Sequence, residues 1–369
     1  MSQIQARPLF VVGPSRSGTT LVQSVINGSG SVYVSGETHY FDDLRDRMPG
    51  KGRTSLSGES LDECEKYFLA LSHRPYGHHG DPELGSVSRE ELRRRAVVQG
   101  GSGDDFLEAY CRMEAEEAGA TEWGEKTPRH VYRIADIIDS FPEARFVCVM
   151  RDPRGVVASY KTWHYRGGFK FDNDQEHEAA MRADYGRARR SYNLLIASLM
   201  WSSAAKAIAA AQELYGAERI YTLSYEGLVS APERATKDLA DWMAAEWSPE
   251  MLTVPFTNSS TADHASEGGF SLEPSRKWES ILSQAEIGAI QTICAKEMGQ
   301  MGYAIHPGGR SIALLLRELA FLPVSVIRGI LANRSRMVRI FPYVIRRIPF
   351  RAPGRWQPHK TVVTAKAKG

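Results

Sequence analysis

The residues best suited to chemistry stand at points where the chain changes direction. The first group is Gly13-Pro14-Ser15-Arg16-Ser17-Gly18-Thr19-Thr20. The apolar run Leu9 to Val12 before it reads as a buried strand, and a helical pattern runs on from Thr20 to Asn27. Strand, turn and helix in that order aim free N–H groups and a positive helix end at a bound anion, here a phosphate or a sulfate. Gly13 and Gly18 have the spacing of the triphosphate loop G-x-x-x-x-G-K-[ST], but Thr19 stands where that loop has lysine. The missing lysine argues against an ordinary ATP or GTP enzyme, and Arg16 is placed to supply positive charge instead. A strand-to-helix turn that binds nothing is the plain structural alternative.

Four further groups follow. Val32 to Val34 reads as a second strand ending at Ser35-Gly36-Glu37-Thr38-His39, which puts a carboxylate where ligands gather in open α/β sheets. Glu37 is therefore a candidate general base, against the commoner fates of helix start or surface ion pair. Lys126, in Glu125-Lys126-Thr127-Pro128, precedes a proline-initiated helix expected over Val131 to Asp139, and its ammonium can face the same anion. Ala144 to Met150 is the clearest strand and runs directly into Arg151-Asp152-Pro153. Arg151 at its end and Ser159 about two turns up the next helix suit a second phosphate, by bidentate guanidinium contact and a hydroxyl. Arg219 to Leu223 reads as a strand ending at Tyr225-Glu226, and Ser275-Arg276-Lys277-Trp278 precedes a last helix around Gln284 to Met301.

Strand–helix units with their motifs at strand ends predict an α/β fold, a mostly parallel central sheet flanked by helices. Phe106, Tyr110 and Met113 form one stripe of a helix over Phe106 to Ala118, and Glu178 to Tyr215 reads as one long helical region. Residues 42–103 are polar and glycine-rich, and are expected to form a variable insertion on the acceptor side of a domain spanning residues 1–309. His78 and His79 in that stretch lack a third ligand, so no metal is expected.

The 369 residues carry a net charge of +2, which hides a split. Residues 310–369 hold 13 Lys and Arg against one acid, Glu318, a net of +12, leaving −10 for residues 1–309. A basic tail on an acidic body points to an anionic partner such as a membrane surface. In the tail, arginines interleave with Val338, Ile340, Phe341, Tyr343, Val344 and Ile345, a mixture that suits a helix lying in a membrane interface. The uncharged run Leu319 to Ile327 is far short of the ~20 residues needed to span a bilayer. The same pattern suits an extension packed on its own domain or against a second subunit of a homo-oligomer. Nucleic-acid binding fits less well, because the aliphatic content is high. Cys64, Cys111, Cys148 and Cys294 are far apart and are expected as free thiols. Met1 to Arg7 is polar and shows no signal peptide, so a cytoplasmic protein, peripheral on the inner face of the membrane, is expected.

Taken together, these motifs resemble the sulfotransferases that use 3′-phosphoadenosine 5′-phosphosulfate (PAPS), over roughly residues 7–307. The likeness is to tyrosylprotein sulfotransferases and their bacterial relatives, and it implies a sulfotransferase fold of the P-loop NTPase type. By this resemblance Arg16, Ser17, Gly18, Thr19 and Thr20 form the 5′-phosphosulfate loop, and Arg151 with Ser159 the 3′-phosphate motif. Glu37 matches the family's catalytic glutamate and Lys126 its catalytic lysine. Tyr225 resembles the tyrosine near the 3′-phosphate, and Lys277 the late lysine that contacts the cofactor. Ser260, in Ser259-Ser260-Thr261-Ala262-Asp263, is the nearest candidate for the family's catalytic serine. The implied reaction moves a sulfuryl group from PAPS to a hydroxyl of a carbohydrate, lipid-linked glycan, peptide or natural product, releasing adenosine 3′,5′-bisphosphate without a metal. The rival readings are a P-loop-type phosphotransferase and a non-catalytic, membrane-associated nucleotide-binding protein.

Overall fold

The computed structural model describes residues 7–73, 80–162, 175–254, 270–306 and 311–334. Ser260, the pair His78 and His79, and the tail beyond Arg334 lie outside the described residues.

Five strands form one parallel sheet: β1 (Leu9–Val12), β2 (Val32–Ser35), β3 (Glu122–Lys126), β4 (Arg145–Met150) and β5 (Ile220–Ser224), in the order β2-β3-β1-β4-β5. A parallel sheet is covered on both faces, so its strands read as unbroken apolar runs, as β1 and β4 do. Successive side chains point to opposite faces. Phe10, Val12, Phe146 and Cys148 enter one core, while Leu9, Val11, Val147 and Val149 enter the other. The helices are α1 (Thr19–Asn27), α2 (Gly58–Ser72), α3 (Arg89–Gln99), α4 (Gly103–Glu117), α5 (Ile134–Ser140), α6 (Pro153–Thr162), α7 (Gln175–Ser191), α8 (Leu194–Tyr215), α9 (Tyr225–Ser230), α10 (Pro232–Met243), α11 (Gln284–Gln300), α12 (Ile312–Ala320) and α13 (Leu322–Asn333), with shorter turns between.

The sequence reading missed β3. Its residues, Glu-Trp-Gly-Glu-Lys, have no apolar run, yet Trp123 through Lys126 are buried between β1 and β2. Gly124 is required there, because a Cβ would stand 2.4 Å from the Leu9 carbonyl oxygen. Two helix expectations are also corrected. The expected helix over Val131 to Asp139 is a 3-10 turn, Pro128–Tyr132, followed by α5, broken where Arg133 turns to ion-pair with Asp42, Asp46 and Asp136. The single helical region ending at Tyr215 is split at Asn193, whose side chain caps α8 by accepting from the Ile196 amide at 2.9 Å. Helix α8 is long and apolar enough to cross a membrane, but Leu194, Trp201, Ala204, Ala205, Ile208 and Ala211 are buried in the core. Within residues 42–103, α2 and α3 contribute Cys64, Phe68, Leu69, Leu92 and Ala96 to that same core. All four cysteines are free and buried.

Candidate active site

Because the sheet is parallel, all five strands deliver their carboxyl ends to one rim. After β3 the chain passes to the far side of β1 to form β4, the topological switch beside which ligands bind in such sheets. Each strand ends at a residue type singled out above: the Gly13–Thr20 loop after β1, Glu37 after β2, Lys126 at the end of β3, Arg151 after β4 and Tyr225 after β5.

The loop after β1 is anchored by the Gly13 amide, which donates to the Pro128 carbonyl at 3.0 Å. Gly18 at φ 93° is held in the left-handed region, and a Cβ there would lie 2.6 Å from the Tyr225 ring, so only glycine fits. Among the described residues no side chain caps α1, so the N–H groups of its first turn have no side-chain partner there. The Ser17 hydroxyl is buried without a partner among the described residues, the unmet demand that a bound oxyanion satisfies.

Arg16 and Arg151 lie side by side. Arg151 donates to the Arg16 carbonyl at 3.2 Å and to the Pro274 carbonyl at 2.5 Å, and its guanidinium lies 4.5 Å from the centre of the Tyr225 ring. Burial raises the Tyr225 phenol, while the neighbouring Arg151 charge pulls the other way. Arg16 Nε donates to Ser159 Oγ at 3.1 Å, so one hydroxyl ties the loop to the helix that follows β4. Trp201 fixes the end of β4 by donating to the Arg151 carbonyl at 2.8 Å. The Arg151 Nε is buried and lacks a partner among the described residues. These atoms fit a ligand with more than one anionic group.

On the other side of β1, Lys126 Nζ and Glu37 Oε1 form an ion pair at 2.8 Å, and His39 Nε2 lies 3.3 Å from Glu37 Oε2. The lysine side chain is 7% exposed and the glutamate 35%, so the carboxylate is the partner open to an incoming molecule. Lys277 is not drawn into this cluster; its ammonium pairs with Glu273 at 4.0 Å. Its segment does reach the site, through the Pro274 carbonyl bound by Arg151. The described residues hold no group of three or more metal-binding side chains.

Beneath the pair lies a network that sequence reasoning missed. Glu125 is fully buried and accepts from the Thr38 amide at 2.9 Å, the Thr38 hydroxyl at 3.0 Å and the Thr127 hydroxyl, with His130 Nδ1 at 3.0 Å. Burial by itself would raise the Glu125 carboxyl, but the His130 ring, Thr127 and the Thr38 amide outweigh it and hold the carboxyl below its ordinary range. Thr38 follows Glu37 and Thr127 follows Lys126, so this carboxylate pins together the two backbones that present Glu37 and Lys126. The signal was a second acid and a histidine flanking Lys126 behind a tryptophan, in a stretch otherwise too polar to be read as a strand.

Comparison with known proteins identifies the family. The profile described as "Sulfotransferase family" matches residues 8–249, and the chain belongs to that family. A sulfotransferase domain from the Synechococcus PCC 7002 olefin synthase has a similar fold, with a TM-score of 0.50 and 19% identity over 83% of this chain and 98% of that one. The sulfotransferase domain from the curacin biosynthetic pathway gives a TM-score of 0.49 and 16% identity, over 83% of this chain and 99% of that one. An uncharacterized protein of Aquifex aeolicus (strain VF5) is 21% identical over 246 residues, which are 67% of this chain and 26% of the relative. This chain thus spans about a quarter of the length of the curated relative it matches.

Proposed function

We propose that the protein transfers a sulfuryl group from PAPS to an acceptor hydroxyl. The observation that carries this reading is the direct contact of two anion-binding elements: Arg151 donating to the backbone of Arg16, and Arg16 donating to Ser159. That contact suits one nucleotide with a phosphosulfate at one end and a phosphate at the other. The loop amides and Ser17 cradle the phosphosulfate, with Thr19 and Thr20 at the start of α1, while Arg151 and Ser159 hold the 3′-phosphate beside Tyr225.

Sulfuryl transfer resembles phosphoryl transfer, an in-line displacement in which positioning and electrostatics do most of the work. Lys126 and Arg16 stabilise the negative charge that grows on the leaving phosphate. A cation about 4 Å from that charge is worth at most about 4 kcal/mol at an effective dielectric of 20. Fixed cations therefore fill the part a metal plays elsewhere. Lys126 also holds Glu37 by their ion pair until its ammonium turns to the leaving oxygen, which frees the carboxylate to take the acceptor's proton. The acceptor class stays at a hydroxyl of a carbohydrate, lipid-linked glycan, peptide or natural product, met by the helices of residues 42–103. Tyr67 of α2 brings them to the site edge by donating to the Thr38 carbonyl at 2.6 Å.

A thermal-shift series tests the donor. Stabilisation by adenosine 3′,5′-bisphosphate without magnesium is expected. A response only to ATP with magnesium would replace this reading with a phosphotransferase, and no nucleotide response would leave a non-catalytic protein.

A further inference from the structure

Helices α12 and α13 form a hairpin with two unlike sides. One side is held to the domain. Asn193 donates to Glu318 at 2.9 Å and to Ser325 at 3.2 Å, Arg328 donates to the Tyr192 carbonyl at 3.1 Å, and Arg187 donates to Asn333 at 2.7 Å. The other side carries Ile312, Leu316 and Leu319 on α12, Phe321 at the turn, and Val324, Ile327 and Leu331 on α13. Each of these is between 52% and 65% exposed. Steps of three and four residues put the side chains of each helix on one face. Seven of the thirteen exposed large apolar side chains among the described residues fall within these twenty positions. A water-facing surface rarely gathers so many without a partner.

Charge selects that partner. Arg317, Arg328 and Arg334 lie on the hairpin or at its end and are exposed. The residues that follow, 335–369, contain Arg336, Arg339, Arg346, Arg347, Arg351, Arg355, Lys360, Lys366 and Lys368 and no acid. Two copies meeting through this face would bring two strongly positive segments together, and a nucleic acid offers nothing to cover the aliphatic side chains. An anionic bilayer answers both features, with acyl chains for the apolar face and lipid phosphates for the cations. The body at −10 is repelled by the same surface, which turns the hairpin side toward it.

We propose that the α12–α13 hairpin and the basic segment after it dock the protein on an anionic lipid bilayer. Flotation of the full chain with vesicles tests this. Partition onto phosphatidylcholine vesicles containing about 30% phosphatidylglycerol should exceed that onto pure phosphatidylcholine by about tenfold, and should fall in about 0.5 M salt. Leu316→Glu with Ile327→Glu should lower partition by about tenfold, and Arg346→Gln with Arg347→Gln and Arg351→Gln should do the same, both at unchanged melting temperature. Equal partition of all variants on both vesicles overturns the proposal. So does light scattering that shows a dimer dissolved by Leu316→Glu with Ile327→Glu while the unmodified protein fails to float.

Discussion

The rim of the sheet and the C-terminal hairpin break the rule of polar outside and apolar inside in opposite ways. At the rim, Glu125, Lys126, Thr127, His130 and Arg151 are buried, and contacts such as Thr38 with Glu125, Glu37 with Lys126 and Arg16 with Arg151 join segments that follow different strands. On the hairpin, leucine, isoleucine, valine and phenylalanine face water. Burying a polar group is costly unless it is matched, so this many buried polar side chains gathered at one rim mark a candidate site. Exposing apolar surface is costly unless something covers it, which is why we propose a contact at the hairpin. The difference teaches where to expect each kind of damage: substitutions at the rim should cost activity and stability, and those on the hairpin only attachment.

The sharpest break in that comparison is Glu37→Gln. Sulfuryl transfer from labelled PAPS should fall about 10²–10⁴-fold, with adenosine 3′,5′-bisphosphate binding unchanged to within a few-fold. Full turnover in this variant removes Glu37 from the role of base.

Glu125→Gln should lower stability at neutral pH by about 2–4 kcal/mol in chemical denaturation, because His130 and the two threonines lose their charged partner. Its acid dependence has a definite sign. The folded carboxyl lies below the ordinary value of 4.5, so its contribution is complete above about that pH and is lost as pH falls through the lower folded value. Melting temperature should therefore drop on acidification below 4.5 in the unmodified protein and drop less in the variant. Identical acid limbs would show that other carboxylates govern this region.

Arg151→Ala should weaken adenosine 3′,5′-bisphosphate by about 10–100-fold in titration calorimetry, the scale of lost charge-assisted hydrogen bonds. Unchanged affinity would move the 3′-phosphate away from Arg151. The smallest effect belongs to the hairpin: Leu316→Glu and Ile327→Glu should each change folding stability by no more than about 0.5 kcal/mol. A loss of several kcal/mol would mean that this face is packed inside the protein and would end the contrast.

Legibility in the sequence followed the same division. Strands β1, β2, β4 and β5 were readable because burial on both sheet faces demands runs such as Leu9 to Val12. Arg16, Glu37 and Arg151 could be placed at strand ends because each follows directly on a strand or turn signal, and Lys126 was singled out because it stands just before Thr127-Pro128. Strand β3 was not, since its burial rests on partners from a distant segment: Thr38 for Glu125 and Glu37 for Lys126. Lys277 was matched by its place before Trp278, and its pairing with Glu273 follows from how that segment folds back on Arg151.

Local pattern and counting were enough for the parallel α/β plan, the glycine-bearing loop after β1 and the charge split between body and tail. Tertiary structure alone decided that Arg16 meets Ser159, that Glu125 pins the two backbones bearing Glu37 and Lys126, and that the hairpin turns its apolar face outward. Each of those facts is a contact, or a missing contact, between segments far apart in the chain, and no local preference encodes it.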